Sequence, residues 1–177
     1  LTDMAIDLTT IPALADVEPV KSTKTPLRLD YEYTAGAASS RFLRAVKEKK
    51  LMGQRCPKCG KVYLPPRGAC PTDGVPTTDE VELPHTGTVT TFCVVNVPFH
   101  GQQMEIPYVS ANVLVDGADL PLFGLIQEMP AHDVRMGLRV EAVWKDDDEL
   151  ETSLENIKWW RPTGEPDADP STYEGQM

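Results

Sequence analysis

Four side chains within one short stretch could hold a cation. Residues 54–79 read QRCPKCGKVYLPPRGACPTDGVPTTD and contain two near-copies of one motif, CPKCG and CPTDG. Cys56, Cys59 and Cys70 supply three thiols, and Asp73 stands where the second copy would place a fourth, giving the spacing C-x2-C-x10-C-x2-D. Thiolate sulfur and carboxylate oxygen both bind Zn²⁺, at ~2.3 Å and ~2.0–2.2 Å. Each motif ends in glycine, Gly60 and Gly74, which tolerates the positive φ that turns backbone N–H groups toward a sulfur. Four protein ligands complete a tetrahedron and leave no open position, so such a site is structural rather than hydrolytic. Other readings stay open at this point: a ribbon that has lost its metal, a redox CxxC pair, or a cluster completed by His85 instead of Asp73. No thioredoxin-like βαβ context accompanies the CxxC, and three sulfurs are too few for a four-sulfur iron site.

The elements that must position these ligands can be read on either side. Residues 39–51, SSRFLRAVKEKKL, predict a helix capped by Ser39 or Ser40, with Phe42, Leu43, Val46 and Lys50 or Leu51 on one stripe. From Gly87 the pattern has period two. Five segments separated by turn residues read as strands: GTVTTFCVVNV, YVSANVLVDG, LPLFGLIQEM, GLRVEAVWKDD and LENIKWWRP. Cys93 falls in phase with Val89 and Val95 and is expected as a buried core thiol. Five short strands with little helix suggest a Greek-key barrel of the OB type. The expected fold class is therefore mainly β, an N-terminal helix and zinc ribbon followed by a five-stranded barrel. The expected divisions are an extended arm over 1–35, helix and ribbon over 36–80, barrel over 81–162, and an acidic, irregular tail over 163–177. The arm is interrupted by prolines at 12, 19 and 26 and carries scattered apolar residues such as Ile6, Leu8, Ile11 and Leu14.

Charge narrows the function. The 177 residues carry a formal charge of −10, which opposes general binding to nucleic acid or anionic membrane. Residues 39–67 are the exception, with nine basic side chains and one acidic. Those cations could simply balance an anionic metal site, since three thiolates, a carboxylate and Zn²⁺ sum to a negative charge. They could also face the phosphates of a coenzyme, with Lys61 and Arg67 closest to the metal loop. No apolar run approaches the ~18–20 residues of a membrane span. The opening LTDMAIDLTTIPAL has neither a basic start nor a continuous apolar stretch, so no secretory signal is expected there. The cysteines accordingly fit a metal site in a reducing cytoplasm better than disulfides.

No catalytic set emerges. The three histidines, His85, His100 and His132, fall in or beside loops, and no GxSxG, HExxH, Walker or GxGxxG pattern occurs. Residues expected to meet a partner are Tyr63, Leu64, Pro65 and Pro66 in the knuckle loop, Phe99, His100 and Met104 in the first long hairpin, and the adjacent Trp159 and Trp160. His100 could contact the mouth of a partner's substrate channel. Two other classes compete: a nucleic-acid-binding ribbon and barrel, which lacks interleaved aromatic and basic residues, and an autonomous acyl-CoA hydrolase or carrier.

The ordered set of a helix, RCPKCGKVYLPPRGACPTDG, GTVTTF, IPYVSANVLVDG, LIQE, GLRVEAVW and a final RP resembles an acyl-CoA-associated zinc-ribbon/OB-fold family, long labelled a domain of unknown function. The resemblance covers about residues 36–162, and Asp73 departs from the fourth cysteine of many members. It implies a rubredoxin-like ribbon with one structural Zn²⁺ and a non-catalytic role. The implied partner is a thiolase-like aldolase that cleaves a hydroxyacyl-CoA by a retro-aldol reaction in steroid or lipid side-chain breakdown. An enoyl-CoA hydratase is a possible second partner, and a two-plus-two heterotetramer the implied assembly.

Overall fold

The computed structural model describes residues 29, 30, 32, 34–99, 101, 102 and 104–176. Residues 1–33 form a unit of their own, of which Leu29, Asp30 and Glu32 are described and exposed. The arm expected over 1–35 thus lies mostly outside the described residues, as does His100.

The second unit begins with α1 (Gly36–Lys47). Ser39 and Ser40 lie inside the helix rather than capping it, because the helix starts at Gly36 and has no side-chain cap. Its C-terminus closes through a left-handed residue, Lys49, at φ 56°. The Lys49 N–H reaches Val46 O at 3.0 Å and the Lys50 N–H reaches Ala45 O at 3.0 Å, the paired bonds that commonly end a helix. Phe42 and Val46 are buried as the stripe required.

Three antiparallel strands follow, β1 (Leu51–Arg55), β2 (Val62–Tyr63) and β3 (Asp79–Leu83), in the order β2-β1-β3. β3 runs past residue 80, so the ribbon's sheet extends into the stretch expected to open the barrel. The remaining strands are β4 (Thr86–Val95), β5 (Tyr108–Val115), β6 (Leu122–Ile126), β7 (Arg139–Trp144) and β8 (Ile157–Pro162). They close into a barrel of order β4-β5-β6-β8-β7. β6 and β8 are parallel and meet at a single ladder pair, Ile126 with Trp160. A five-stranded closed barrel with this one parallel closure is the OB arrangement expected from the strand series.

Ribbon and barrel share one apolar core. Phe42, Val46, Leu51, Val62, Leu64 and Leu83 from the ribbon pack in the same cluster as Val89, Val113, Val140 and Trp160 from the barrel. Asn156, fully buried, ties the two further: its amide donates to Val46 O at 3.4 Å and to Glu151 O at 2.6 Å.

Two further expectations fail for identifiable reasons. A register shift between Val89 and Thr91 reverses the alternation of β4, and Cys93 is exposed rather than in the core. A bulge inserts one residue and so exchanges the two faces beyond it. The acidic tail is also more ordered than its composition suggests. Arg135 holds Asp167 through two bonds of 2.6 and 2.7 Å, the Ala168 N–H reaches Gly137 O at 2.8 Å, and Tyr173 is 6% exposed.

Where β5 ends and β7 begins, Arg139 donates two bonds of 2.7 Å to Asp116 and one of 2.9 Å to Thr88 Oγ1. The guanidinium holds the Asp116 carboxyl below the ordinary carboxylate range, against its partial burial. A folded value below the unfolded one adds stability above the ordinary pKa of ~3.9, and that contribution is lost as pH falls through the folded value. Asp116→Asn should therefore cost about 1–2 kcal/mol at pH 7, after allowance for solvent screening. Urea unfolding should also show a shallower loss of stability than wild type below about pH 4. Identical pH slopes in the two proteins would show that this pair is not the source.

Candidate metal centre

Each of the two knuckles is closed by the same set of backbone bonds. The Cys56 N–H reaches Lys61 O at 2.8 Å and the Gly60 N–H reaches Cys56 O at 3.0 Å; the Cys70 N–H reaches Val75 O at 2.8 Å and the Gly74 N–H reaches Cys70 O at 2.9 Å. The flanking pairs correspond too, Arg55 with Val62 and Ala69 with Pro76. Gly60 and Gly74 take positive φ, 78° and 66°, as these turns require. The Cys59 N–H points at Cys56 Sγ and the Asp73 N–H at Cys70 Sγ, both at 3.4 Å. Asp73 therefore occupies in the second knuckle the position that Cys59 occupies in the first.

The result is a cluster of three sulfurs and a carboxylate oxygen, all within 4.8 Å of one another. Cys59 Sγ and Cys70 Sγ are 3.8 Å apart, and Asp73 Oδ2 is 3.5 Å from Cys56 Sγ and 3.4 Å from Cys70 Sγ. A tetrahedron with Zn–S ~2.3 Å and Zn–O ~2.0 Å has edges of ~3.8 Å between sulfurs and ~3.5 Å between sulfur and oxygen. The donor set and spacing thus fit one structural Zn²⁺. His85 is elsewhere: its Nδ1 accepts from Trp144 Nε1 at 3.2 Å, so it does not complete the cluster.

Without a cation these ligands must share protons. Hydrogen bonds from the Cys59, Cys70 and Cys56 thiols and the Lys58 ammonium bring the Asp73 carboxyl down to about 2. The Lys61 amide pulls the Cys59 thiol down, but the Asp73 carboxylate, burial and the neighbouring sulfurs outweigh it and push that thiol up to about 11. Burial of Cys70 opposes its ionisation, yet the Tyr63 hydroxyl and nearby amides bring it below its ordinary value. Tyr63 Oη lies 3.2 Å from Cys70 Sγ. Cys56 and Cys70 are each 1% exposed, and Lys58 Nζ stands 3.4 Å from Asp73 Oδ1 on the solvent side.

Barrel residues fix the ribbon in place, and the sequence carries no pattern that announces them. Asp119 Oδ2 accepts from the Val62 N–H at 2.7 Å, while the Asp119 N–H reaches Val62 O at 2.9 Å. Leu120 packs on the small cluster of Cys56, Tyr63 and Cys70. From the tail, Gln176 Nε2 reaches Asp119 O at 2.8 Å.

Several expected contact residues are internal. Tyr63 and Leu64 are 2% and 0% exposed, and Pro66 is buried. Tyr63 turns to the Cys70 sulfur, and Leu64 enters the shared core, so neither offers a docking surface on this chain. Trp160 is also interior, 1% exposed, with its indole where a side chain on Gly124 would be. Pro65 and Phe99 are exposed, Met104 and Trp159 half-buried. Lys61 and Arg67 are exposed, and among the described residues neither has a carboxylate partner. Arg41, Lys49, Arg55 and Lys58 from the same basic stretch do, with Glu80, Asp147, Asp79 and Asp73. No helix among the described residues is long and apolar enough to cross a membrane.

Comparison with known proteins agrees with the two-part architecture. Residues 44–79 match the family model described as the ChsH2 rubredoxin-like zinc ribbon domain, and residues 80–145 match that of the ChsH2 C-terminal OB-fold domain. A DUF35 domain-containing scaffold protein of Methanocaldococcus jannaschii is 38% identical over 108 residues, 59% of this chain and 75% of that protein. The chain belongs to the ChsH2 (DUF35) family. A chain of a solved structure described as Ltp2-ChsH2(DUF35) aldolase is 28% identical, with TM-score 0.55, over 74% of this chain and 98% of that one. A DUF35-family structure from Sulfolobus solfataricus, at 22% identity and TM-score 0.54, shares the fold. A probable enoyl-CoA hydratase alpha subunit of Thermomonospora curvata is 33% identical over 108 residues, but the match spans only 33% of that longer protein.

Metal analysis of the purified chain should return about one zinc per molecule. Asp73→Ala should weaken retention against a chelator, because a tetrahedral structural site then has only three protein ligands. Asp73→Cys should restore or tighten it. Zinc should also leave as pH falls, since binding requires the thiols to lose their protons. A metal-free protein that stays folded and unaltered by chelator would remove the site from the structure's support.

Proposed function

We propose that this chain is a non-catalytic, zinc-stabilised partner subunit of a thiolase-like aldolase acting on CoA thioesters. The observation that carries this reading is the match to 98% of a chain in a solved structure described as Ltp2-ChsH2(DUF35) aldolase, reinforced by 38% identity to a protein described as a scaffold. The chemistry of the described residues supports it. The zinc site has four protein ligands and no open position for substrate, and His132 is a surface side chain, 83% exposed.

On this reading the reaction, retro-aldol cleavage of a hydroxyacyl-CoA in steroid or lipid side-chain breakdown, belongs to the partner. Pro65, Phe99, Met104 and Trp159 are surface candidates for the contact. Lys61 and Arg67 are candidates for the phosphates of the partner's CoA thioester, being exposed cations with no carboxylate partner among the described residues. The assembly would be a two-plus-two heterotetramer on a thiolase-like dimer. The similarity to one third of a hydratase subunit supports a working link to an enoyl-CoA hydratase that forms the hydroxyacyl substrate.

Co-expression with a thiolase-like aldolase tests the proposal. The two chains should co-elute with equal stoichiometry, and carbon–carbon cleavage should require both. Cys56→Ser should reduce complex yield at least about tenfold, because losing a structural ligand unsettles the ribbon. A chain that stays monomeric beside such a partner, or hydrolyses acyl-CoA alone, would defeat the proposal.

A further inference from the structure

The four ligands of the metal cluster are not equivalent. Cys56 and Cys70 are each 1% exposed and are fixed by the fold. Cys56 Sγ accepts from the Lys58 and Cys59 N–H groups, both at 3.4 Å. Cys70 Sγ accepts from the Asp73 N–H at 3.4 Å and lies 3.2 Å from Tyr63 Oη. Leu120 of the barrel packs on the small cluster to which both belong. Cys59 alone of the three thiols is exposed to solvent, and its sulfur lies 3.8 Å from Cys70 Sγ, across the two knuckles. An accessible sulfur beside a second that is buried and held is the arrangement of a cysteine that meets an oxidant and one that resolves it. The fourth ligand, Asp73, is a carboxylate and cannot join a disulfide.

We propose that Cys59 is an oxidation site, and that the disulfide it forms with Cys70 releases the zinc and loosens the ribbon from the barrel. A thiol that ligates zinc has already lost its proton, so the Cys59 sulfur is a nucleophile within reach of solvent. It attacks the O–O bond of a hydroperoxide and becomes a sulfenic acid, while the other oxygen leaves as hydroxide or alkoxide. The Cys70 sulfur then forms the S–S bond, and the sulfenic oxygen leaves as hydroxide. The two thiolates lose two electrons between them, and the hydroperoxide receives both. Cys56 and Asp73 remain, two ligands where a structural site takes four. Asp73 confines the change to one pair, because Cys56 is left with no partner thiol in the cluster. Closing 3.8 Å to the ~2.05 Å of a disulfide moves at least one sulfur. Cys70 cannot move without disturbing its contacts with Tyr63 and Leu120, so an event at the surface is felt at the barrel. The switch depends on the zinc site but not on the subunit role proposed above.

Hydrogen peroxide is the probe, added to the full zinc-loaded chain. Cys93→Ser serves as the background, since Cys93, on barrel strand β4, is the other exposed thiol. Released zinc is read with a chromogenic chelator, and thiols and disulfides by mass spectrometry of trapped peptides. Zinc should appear in step with one intramolecular Cys59–Cys70 disulfide, leaving Cys56 as a free thiol. Dithiothreitol followed by zinc should restore the loaded, reduced chain. Cys59→Asp in this background, an oxygen ligand like Asp73, should slow peroxide-driven zinc loss at least about tenfold, because the remaining thiols are buried. Asp73→Cys should go on to a second disulfide, taking up about two equivalents of peroxide where the parent takes about one. The proposal is overturned if peroxide leaves zinc in place, if the disulfide joins Cys56 to either other cysteine, or if Cys59 passes to sulfinic acid without pairing. It is also overturned if Cys59→Asp loses zinc as fast as its parent, or if Asp73→Cys stops at one disulfide. Should Cys59→Asp fail to load zinc, the pairing found in the parent decides alone.

Discussion

Four groups that are negative when ready to bind metal lie within 4.8 Å of one another, and the ribbon is organised around making that proximity favourable. At such distances like charges repel strongly, so the ligands either share protons or share a cation. The backbone has already fixed the geometry. Two knuckles with corresponding N–H···O bonds aim their amides at Cys56 and Cys70, and the oxygen–sulfur and sulfur–sulfur edges match those around Zn²⁺. A cation therefore meets a preformed site and replaces repulsion with attraction.

The consequence reaches beyond the loops because the metal cluster is packed rather than appended. Leu120 from the barrel covers Cys56 and Cys70, Asp119 holds both backbone groups of Val62, and Leu64, one residue after Tyr63, belongs to the main core. Displacing the ribbon would break these contacts together. Ribbon and barrel thus behave as one body within residues 34–177. The tail strengthens this arrangement by reaching back to Asp119 through Gln176.

Much of this was legible in the sequence, and the failures have physical causes. The knuckles could be read because one motif occurs twice, so Asp73 could be assigned by analogy with Cys59 before any coordinates. The five barrel strands could be read because alternation and turn residues agree. Cys93 could not be placed, since one bulge between Val89 and Thr91 reverses the alternation and nothing local announces it. Tyr63, Leu64 and Pro66 looked like a surface because a loop rich in proline usually is one. Their burial depends on Cys70 and on core residues far along the chain. Asp119 and Leu120 were illegible for the same reason, being ordinary residues in a hairpin turn whose role comes from what the fold brings against them. Acidic composition also misled at the tail, where Asp167 and Tyr173 are held by partners more than thirty residues away.

The basic stretch is best understood through what its charges do individually. Exposed ion pairs contribute little stability, so the pairs made by Arg41, Lys49 and Arg55 mainly set where positive charge remains. Lys58 compensates the metal ligands directly through Asp73. Arg44, Lys47, Lys61 and Arg67 are left facing solvent on elements that α1 and the knuckles hold rigid. Groups already fixed in place lose less conformational freedom on association than mobile ones. A metal clamp that takes no part in chemistry can therefore still serve recognition, by holding cations and apolar residues in one arrangement before anything binds.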